Sequence, residues 1–135
     1  MTYFDWRDFF NLAEELSNRN DEACIRSAIS RYYYSAFCSA RYYLVEIKGE
    51  NQFLTRRGIH TKLYEYLKNS DDDNEAELGE LLEILFEKRN CADYDWQNTN
   101  KDYFSKQLPF VQNEIKKAFL NINALKNNPS NFRIS

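Results

Sequence analysis

Apolar residues recur every three or four positions through most of the chain, which is the spacing of amphipathic helices. No segment alternates polar and apolar residues with the period of two that strands require. The spacing therefore predicts an all-α fold, an antiparallel bundle of four to five helices. We expect one domain over residues 1–126 and a disordered tail over residues 127–135. The predicted helices cover residues 5–18, 21–48, 57–68, 72–89 and 101–125.

Residues that favour helix ends support these boundaries. Asp5 with Asp8, and Asp72 with Glu75, have the spacing of helix-capping pairs. Gly49 suits the position after the second helix, where the backbone turns left-handed. Pro109 lies inside the fifth pattern, so we expect it to kink that helix or divide it in two.

Composition agrees with one small helical domain. The chain has 135 residues, with only 3 Gly and 2 Pro but 16% aromatic residues. So few turn-forming residues argue against a β-sandwich and against a glycine-rich phosphate loop. Nucleotide-binding and metal-protease motifs are also absent, and the sequence predicts no metal ion and no cofactor.

Cysteine usage and hydropathy indicate the compartment. Cys24 and Cys38 are fourteen positions apart, so on one helix they stand about 21 Å apart and cannot pair. With Cys91 the total is 3, an odd number, which favours reduced thiols. No apolar run approaches the length of a membrane span, and the first residues lack the pattern of a signal peptide. We expect a cytoplasmic protein that does not bind membranes.

Charge is unevenly distributed along the chain. The net charge is −3, but residues 71–87 hold eight acidic residues and no basic one, which leaves +5 on the remainder. One interpretation is a solvated acidic face of the fourth helix. The other is an acidic flank beside a basic groove, which would orient an anionic ligand toward Arg89.

A first segment with candidate chemistry reads RYYYSAF, from Arg31 to Phe37. Tyr32 and Tyr33 belong to the apolar stripe of the second helix. Successive helical residues point about 100° apart, so Arg31 and Tyr34 must lie on other faces. Either they form an ordinary surface, or they form a positively charged wall of a ligand site.

A second segment reads EKRNCADYDW, from Glu87 to Trp96. Arg89 offers a planar set of donors suited to phosphate, and Asn90 adds an amide. The alternative is a helix C-terminus at which basic residues favour the dipole and Asp93 pairs with a neighbour.

Taken in order, these segments resemble the HEPN domain, a small helical module of prokaryotic toxin–antitoxin and defence systems. The shared features are R-x-Y-Y-x-A-F starting at Arg31, then His60 opening a short helix, then R-N-x-x-D-Y from Arg89 to Tyr94. The resemblance covers residues 5–125. It implies a helical bundle that dimerises face to face, with Arg89 in the dimer cleft. In active members, two Arg-x4–6-His motifs meet there as a metal-independent ribonuclease.

This chain departs from that motif, because the three permitted histidine positions hold Tyr94, Asp95 and Trp96. Cleavage of RNA without metal needs an acid and a base with pKa values near neutrality, which Tyr and Asp ordinarily lack. His60 is the one histidine in the chain, and a packing or capping role is the simpler interpretation of it.

We therefore expect a homodimer that binds RNA or a nucleotide and works with a partner such as a small nucleotidyltransferase antitoxin. Arg31, Tyr34, His60 and Asp93 are the candidate ligand-binding residues. If the protein cleaves RNA, Arg89 would neutralise the phosphorane charge, Asn90 would orient the phosphate, and Tyr94, Asp95 or His60 would move protons. Two other interpretations stay open: a non-catalytic helical adaptor for a protein partner, and a structural subunit of a larger complex.

Overall fold

The structure of the protein, a computed structural model, describes residues 4–55, 57–98 and 102–128. Regular structure in these ranges is helical throughout, with no strand, as the spacing predicts. The five α-helices are α1 (Arg7–Ser17), α2 (Glu22–Tyr42), α3 (Ile59–Lys68), α4 (Asp73–Tyr94) and α5 (Tyr103–Lys126).

The long helix α2 is the centre of the bundle. It packs against α1, α4 and α5, while α3 packs against α4. Buried residues occur on several of its faces, with small ones such as Ala28 and Ala36 fully buried. Small side chains let the neighbouring helices approach closely, so α2 can contact three partners at once. The other helices of the bundle therefore pack around α2.

Helix caps agree with the predicted starts in two of three cases. The side chain of Asp21 accepts a hydrogen bond from the Cys24 N–H at 2.8 Å, and the side chain of Asp72 accepts from the first turn of α4. At α1 the prediction is wrong, because the cap position is Trp6 and makes no side-chain bond. The Asp5 carboxylate instead accepts hydrogen bonds from the Arg7 backbone and guanidinium.

The end of α2 is followed by two short irregular turns. A π-helical turn covers Tyr43–Ile47, and Gly49 then adopts a left-handed backbone with φ of 78°, as its position predicts. The segment predicted as a loop over residues 49–56 contains a 3₁₀ turn at Asn51–Leu54. Neither turn carries a periodic pattern long enough to identify it from sequence.

Helix α4 is longer than the sequence predicts. Its apolar stripe leads to Arg89, but the helix runs on to Tyr94. Ala92 is buried and continues the core contacts by one more turn, which explains why the polar residues around it remain helical. Arg89 therefore lies within the helix and not at its end.

Pro109 neither divides nor ends α5, which is one helix over Tyr103–Lys126. Pro109 and Ser105, whose carbonyl loses its hydrogen-bond partner, are both exposed. Water can therefore hydrate that carbonyl, which lowers the cost of the proline. Of the tail predicted over residues 127–135, Asn127 and Asn128 follow α5 and the rest lies outside the described residues.

Two further findings bear on the sequence predictions. All three cysteines are free thiols, which agrees with the helical spacing of Cys24 and Cys38. No described helix combines the length and the apolar character that a membrane span would need.

Candidate functional site

Arg89 is the centre of a polar cluster between α2 and α4. Its Nη2 donates to the Tyr34 hydroxyl, and its Nη1 donates to Asn90 Oδ1 at 2.8 Å. Asp93 lies one turn further along α4 and also accepts a hydrogen bond from Ser30 Oγ at 3.1 Å. The structure thus joins two segments that are 55 residues apart in sequence. We call Arg31, Tyr34, Arg89, Asn90 and Asp93 the arginine cluster.

The guanidinium of Arg89 is held in place, but some of its N–H groups have no acceptor within the described residues. Its Nε lies 3.1 Å from Asp93 Oδ2, close enough for an ion pair. The same Nε has no partner in hydrogen-bond geometry within the described residues, so the carboxylate neutralises its charge without accepting its proton. The side chain is 13% exposed. The Nε is buried, so a ligand would meet the Nη atoms, each of which has a second N–H beyond the one bonded to Asn90 or Tyr34. Arg89 therefore has a fixed orientation and keeps donors for one further acceptor.

Arg31 contacts the same Tyr34 ring but has a different environment. Its Cζ lies 4.8 Å from the centre of the Tyr34 ring and 5.0 Å from that of the Phe9 ring on α1. Such contacts favour a cation and fix its plane but use none of its N–H groups. Arg31 makes no hydrogen bond or ion pair within the described residues. All five donors of its guanidinium are therefore available.

Both guanidinium groups lie against the Tyr34 ring, because the Arg89 Cζ is 5.0 Å from the centre of that ring. Two positive charges lie beside one half-buried tyrosine, and Asp93 is paired with Arg89 alone, which leaves an excess of positive charge. An anion such as a phosphate would relieve it and supply acceptors for the unused donors.

His60 borders the cluster but belongs to the core. Its ring stacks on Phe86 at 5.0 Å and lies 4.3 Å from Phe37, and its Nδ1 is hydrogen-bonded to the Tyr33 hydroxyl at 2.6 Å. Burial and the nearby Arg89 charge lower the pKa of His60 to about 4. Burial also raises the pKa of Tyr33, so this phenol keeps its proton and can donate it to a neutral imidazole. The contact with the arginine cluster is an edge-on ring contact with Tyr34 at 5.9 Å.

The residues in place of the motif histidine do not behave alike. Tyr94 is exposed, and its ring centre lies 5.6 Å from the Arg89 Cζ. Trp96 is exposed beyond the end of α4. Asp95 is the C-cap residue of α4, and its carboxylate accepts hydrogen bonds from the N–H groups of Gln97 and Asn98. Tyr94 therefore adjoins the arginine cluster, whereas the carboxylate of Asp95 is used in a turn.

Two residues of the site escaped the sequence reasoning. Phe9 supplies the second ring of Arg31 from α1, and Ser30 anchors Asp93. Phe9 belongs to the apolar pattern of α1, and that pattern by itself predicts a core residue. Ser30 lies next to Arg31 in sequence, which is the one local signal that could have indicated it.

A second polar cluster lies just beyond the C-terminal end of α2 and contradicts part of the interpretation of the acidic segment. Glu75 is 1% exposed and accepts hydrogen bonds from Tyr43, Lys48 and Ser70 at 2.6, 2.8 and 2.7 Å. Burial raises the pKa of the Glu75 carboxyl. The three hydrogen bonds together lower it by more than burial raises it, so the net shift of this pKa is downward. At least this acid of residues 71–87 is therefore a core residue. We call these four residues the glutamate cluster.

Metal chemistry has no support in the described parts of the chain, where no three of the His, Cys, Asp and Glu side chains lie close enough together to hold an ion. Comparison of the chain with protein-family models, with curated proteins and with solved structures found no match. Any functional conclusion therefore depends on the chemistry of the residues themselves.

Proposed function

We propose that the protein is a HEPN-like helical domain that binds RNA or a nucleotide, with a phosphate group held between Arg31 and Arg89. The observation that carries the proposal is Arg31, whose guanidinium is fixed by two aromatic rings while its donors stay unused. Ordering an arginine side chain costs conformational entropy. The two rings have already ordered this side chain, so a phosphate that binds to it would not have to order it again.

The neighbouring residues suit a nucleic acid better than an isolated phosphate. Tyr94 and Trp96 are exposed aromatic residues at the same end of α4, and the ring of Tyr94 already contacts Arg89. Unpaired bases stack on exposed aromatic rings while arginines hold the backbone. A single strand of RNA would use both kinds of group.

Binding without cleavage is the activity that these contacts favour. His60 has a pKa of about 4, so near neutral pH its ring is neutral, and with Nδ1 bonded to Tyr33 its one proton is on Nε2, where it is too weakly acidic to protonate a leaving group. Asp95 is engaged in its turn. If cleavage does occur, Tyr94 lies beside Arg89 and its hydroxyl has no hydrogen bond within the described residues, and Arg89→Ala would abolish metal-independent cleavage of total RNA.

The first prediction tests phosphate binding by Arg31. We expect Arg31→Gln to weaken binding of a fluorescently labelled single-stranded RNA about tenfold in an anisotropy titration. The slope of log affinity against log salt should become shallower by about 0.7, the value for one lost phosphate contact on a single strand.

The matched control is Arg19→Gln, which removes the same charge from an exposed position outside the arginine cluster. We expect Arg19→Gln to leave the affinity within about twofold of the wild type. Equal losses in the two variants would show that only the net charge matters, and the proposed site would then be wrong.

The adaptor interpretation also has an observation in its favour. Large apolar side chains are exposed along α1 and α5, among them Phe4, Leu12, Phe110 and Leu120. An adaptor or dimerisation module would use such a surface to bind protein. One chain can carry both a protein-binding surface and a phosphate site at Arg31, so the two interpretations are compatible.

A further inference from the structure

The two oxygen atoms of the Asp93 carboxylate have different environments. Oδ2 lies 3.1 Å from Arg89 Nε and accepts a hydrogen bond from Ser30 Oγ, also at 3.1 Å. Oδ1 accepts no hydrogen bond within the described residues. The Asp93 side chain is 27% exposed, against 13% for Arg89. One carboxylate oxygen is therefore held by the protein, and the other keeps its lone pairs for a ligand.

The other unused side-chain groups of the arginine cluster are donors. Asn90 Oδ1 accepts from Arg89, so the amide nitrogen of Asn90 keeps its N–H groups, which have no acceptor in the described residues. The Tyr34 hydroxyl also accepts from Arg89 and can therefore donate its own proton. A ligand that fits the whole cluster must supply acceptors for these donors and one donor for Asp93 Oδ1.

A phosphate diester alone does not satisfy this arrangement. It has acceptors and no donor, so a phosphate oxygen beside the free oxygen of Asp93 would be repelled. The Arg89 Nε that faces Asp93 belongs to the same rigid guanidinium as the Nη atoms that would hold the phosphate. The missing donor must therefore be attached to the ligand within a few atoms of its phosphate.

Building on the proposed phosphate site at Arg31 and Arg89, we propose that the Asp93 carboxylate accepts a hydrogen bond from the 2′-hydroxyl of a ribonucleotide. In RNA the 2′-hydroxyl and the 3′-phosphate are attached to neighbouring carbon atoms of one sugar, which places a donor next to a phosphate. DNA has no donor at this position. Asp93 would therefore make the arginine cluster selective for RNA over DNA.

Asp93 is ordered before any ligand binds. Ser30 is 4% exposed, and its hydroxyl donates to Asp93 from α2, while Arg89 pairs with the same oxygen from α4. A ribose hydroxyl would thus meet an acceptor that is already held in place, which lowers the entropic cost of the contact.

The sugar suits this oxygen better than a base does. Asp93 is one helical turn from Arg89, so its carboxylate lies beside the phosphate site. A base is separated from the phosphate by the sugar, and the exposed rings of Tyr94 and Trp96 are available to stack on bases. The 2′-hydroxyl is the same in all four ribonucleotides, so we expect selectivity for the sugar and not for the sequence.

The test compares a labelled ribose strand with a labelled 2′-deoxyribose strand of the same sequence, with uracil in both so that the bases are identical. Anisotropy titrations at one salt concentration give the ratio of the two affinities for each protein, and effects of net charge cancel in this ratio. We expect the wild type to bind the ribose strand about tenfold more tightly, and Asp93→Ala to bring the ratio to about one. Asp93→Asn retains an amide that can bond to the 2′-hydroxyl, so its ratio should stay above that of Asp93→Ala.

Glu87→Ala is the matched control, because it removes an exposed acid of α4 outside the arginine cluster. Its ratio should equal that of the wild type. Arg31→Gln should weaken both strands equally and so preserve the ratio as well. A third strand with 2′-fluoro sugars keeps the ribose pucker but lacks the O–H, and it should bind to the wild type as weakly as DNA. Circular dichroism confirms that each variant is folded.

A wild type that binds RNA and DNA equally would overturn the contact with the 2′-hydroxyl and leave the phosphate site standing. An Asp93→Ala variant that keeps the preference for RNA would overturn it too, and so would a 2′-fluoro strand that binds as tightly as RNA. Equal losses in Arg31→Gln and Arg19→Gln would instead overturn the phosphate site, whatever the sugar ratio. A wild type that binds neither strand would overturn both proposals.

Discussion

The arginine cluster and the glutamate cluster each join a tyrosine, from α2 or from the turn after it, to a charged residue of α4, yet they differ in which polar groups they leave unsatisfied. In the glutamate cluster the buried Glu75 carboxylate is matched by a lysine and two hydroxyls. In the arginine cluster Arg31 has no acceptor within the described residues, and Arg89 uses one N–H of each Nη atom for Asn90 and Tyr34. The difference teaches that a polar cluster indicates ligand binding through its unused donors and not through its charge alone.

The largest effect is expected at the glutamate cluster. Glu75→Ala should lower the free energy of unfolding by about 3 kcal/mol, because it leaves Lys48 and Tyr43 without their buried acceptor. Urea denaturation measures the change. Affinity for labelled RNA should not change at temperatures where the variant is folded.

Glu77→Ala is the control for this prediction, because Glu77 is an exposed acid on the same helix. We expect its effect on the free energy of unfolding to stay within about 0.5 kcal/mol. If Glu75→Ala instead weakened RNA binding as strongly as Arg31→Gln, the contrast between a structural and a ligand-binding cluster would be lost.

An intermediate effect is expected at His60, where the arginine cluster meets the core. The pKa of His60 falls from 6.5 to about 4 on folding, so the unfolded chain takes up this proton first as the pH drops. The contribution of His60 to the free energy of unfolding is therefore fully present above pH 6.5 and is lost as the pH falls from 6.5 to 4. For a half-buried ring we expect a loss of about 1–2 kcal/mol after allowance for solvent screening.

His60→Gln is the variant that isolates this proton. It keeps an acceptor for Tyr33 but does not titrate, so its stability should fall less than that of the wild type over this pH range. Parallel pH profiles of the free energy of unfolding for the two proteins would contradict the neutral, buried state of His60.

The smallest effect is expected at Asp93, the carboxylate that pairs with Arg89 in the arginine cluster. Asp93→Asn removes the carboxylate that competes with a ligand for Arg89, so we expect RNA to bind about threefold tighter. Anisotropy at low salt gives the largest signal, because salt screens such interactions.

Asp95→Asn serves as the control for net charge, because it removes an acid from the same helix end while an asparagine oxygen can still accept the bonds from Gln97 and Asn98. An equal gain in both variants would mean that Asp93 acts on the ligand only through overall charge.

Particular residues show how far the sequence could predict the site. The resemblance directed attention to Arg31, Tyr34, Arg89, Asn90 and Asp93, and the structure places all five together. It could not distinguish Tyr94 from Asp95, because neighbouring residues at a helix end point in different directions once the helix stops. The sequence could not identify Phe9, since an aromatic residue in an apolar stripe has the same pattern whether it faces another apolar residue or an arginine.

The sequence by itself determined the helices, their order and most of their ends. Helix formation depends on residues within four positions of one another, so periodicity and capping residues carry that information locally. The tertiary structure alone decided which polar groups are satisfied. Tyr34 meets Arg89 across 55 residues, Tyr43 meets Glu75 across 32, and Tyr33 meets His60 across 27. Such partners are fixed by how the helices pack. One tyrosine therefore joins a buried contact just beyond the end of α2, and another joins an open cluster in the middle of α2.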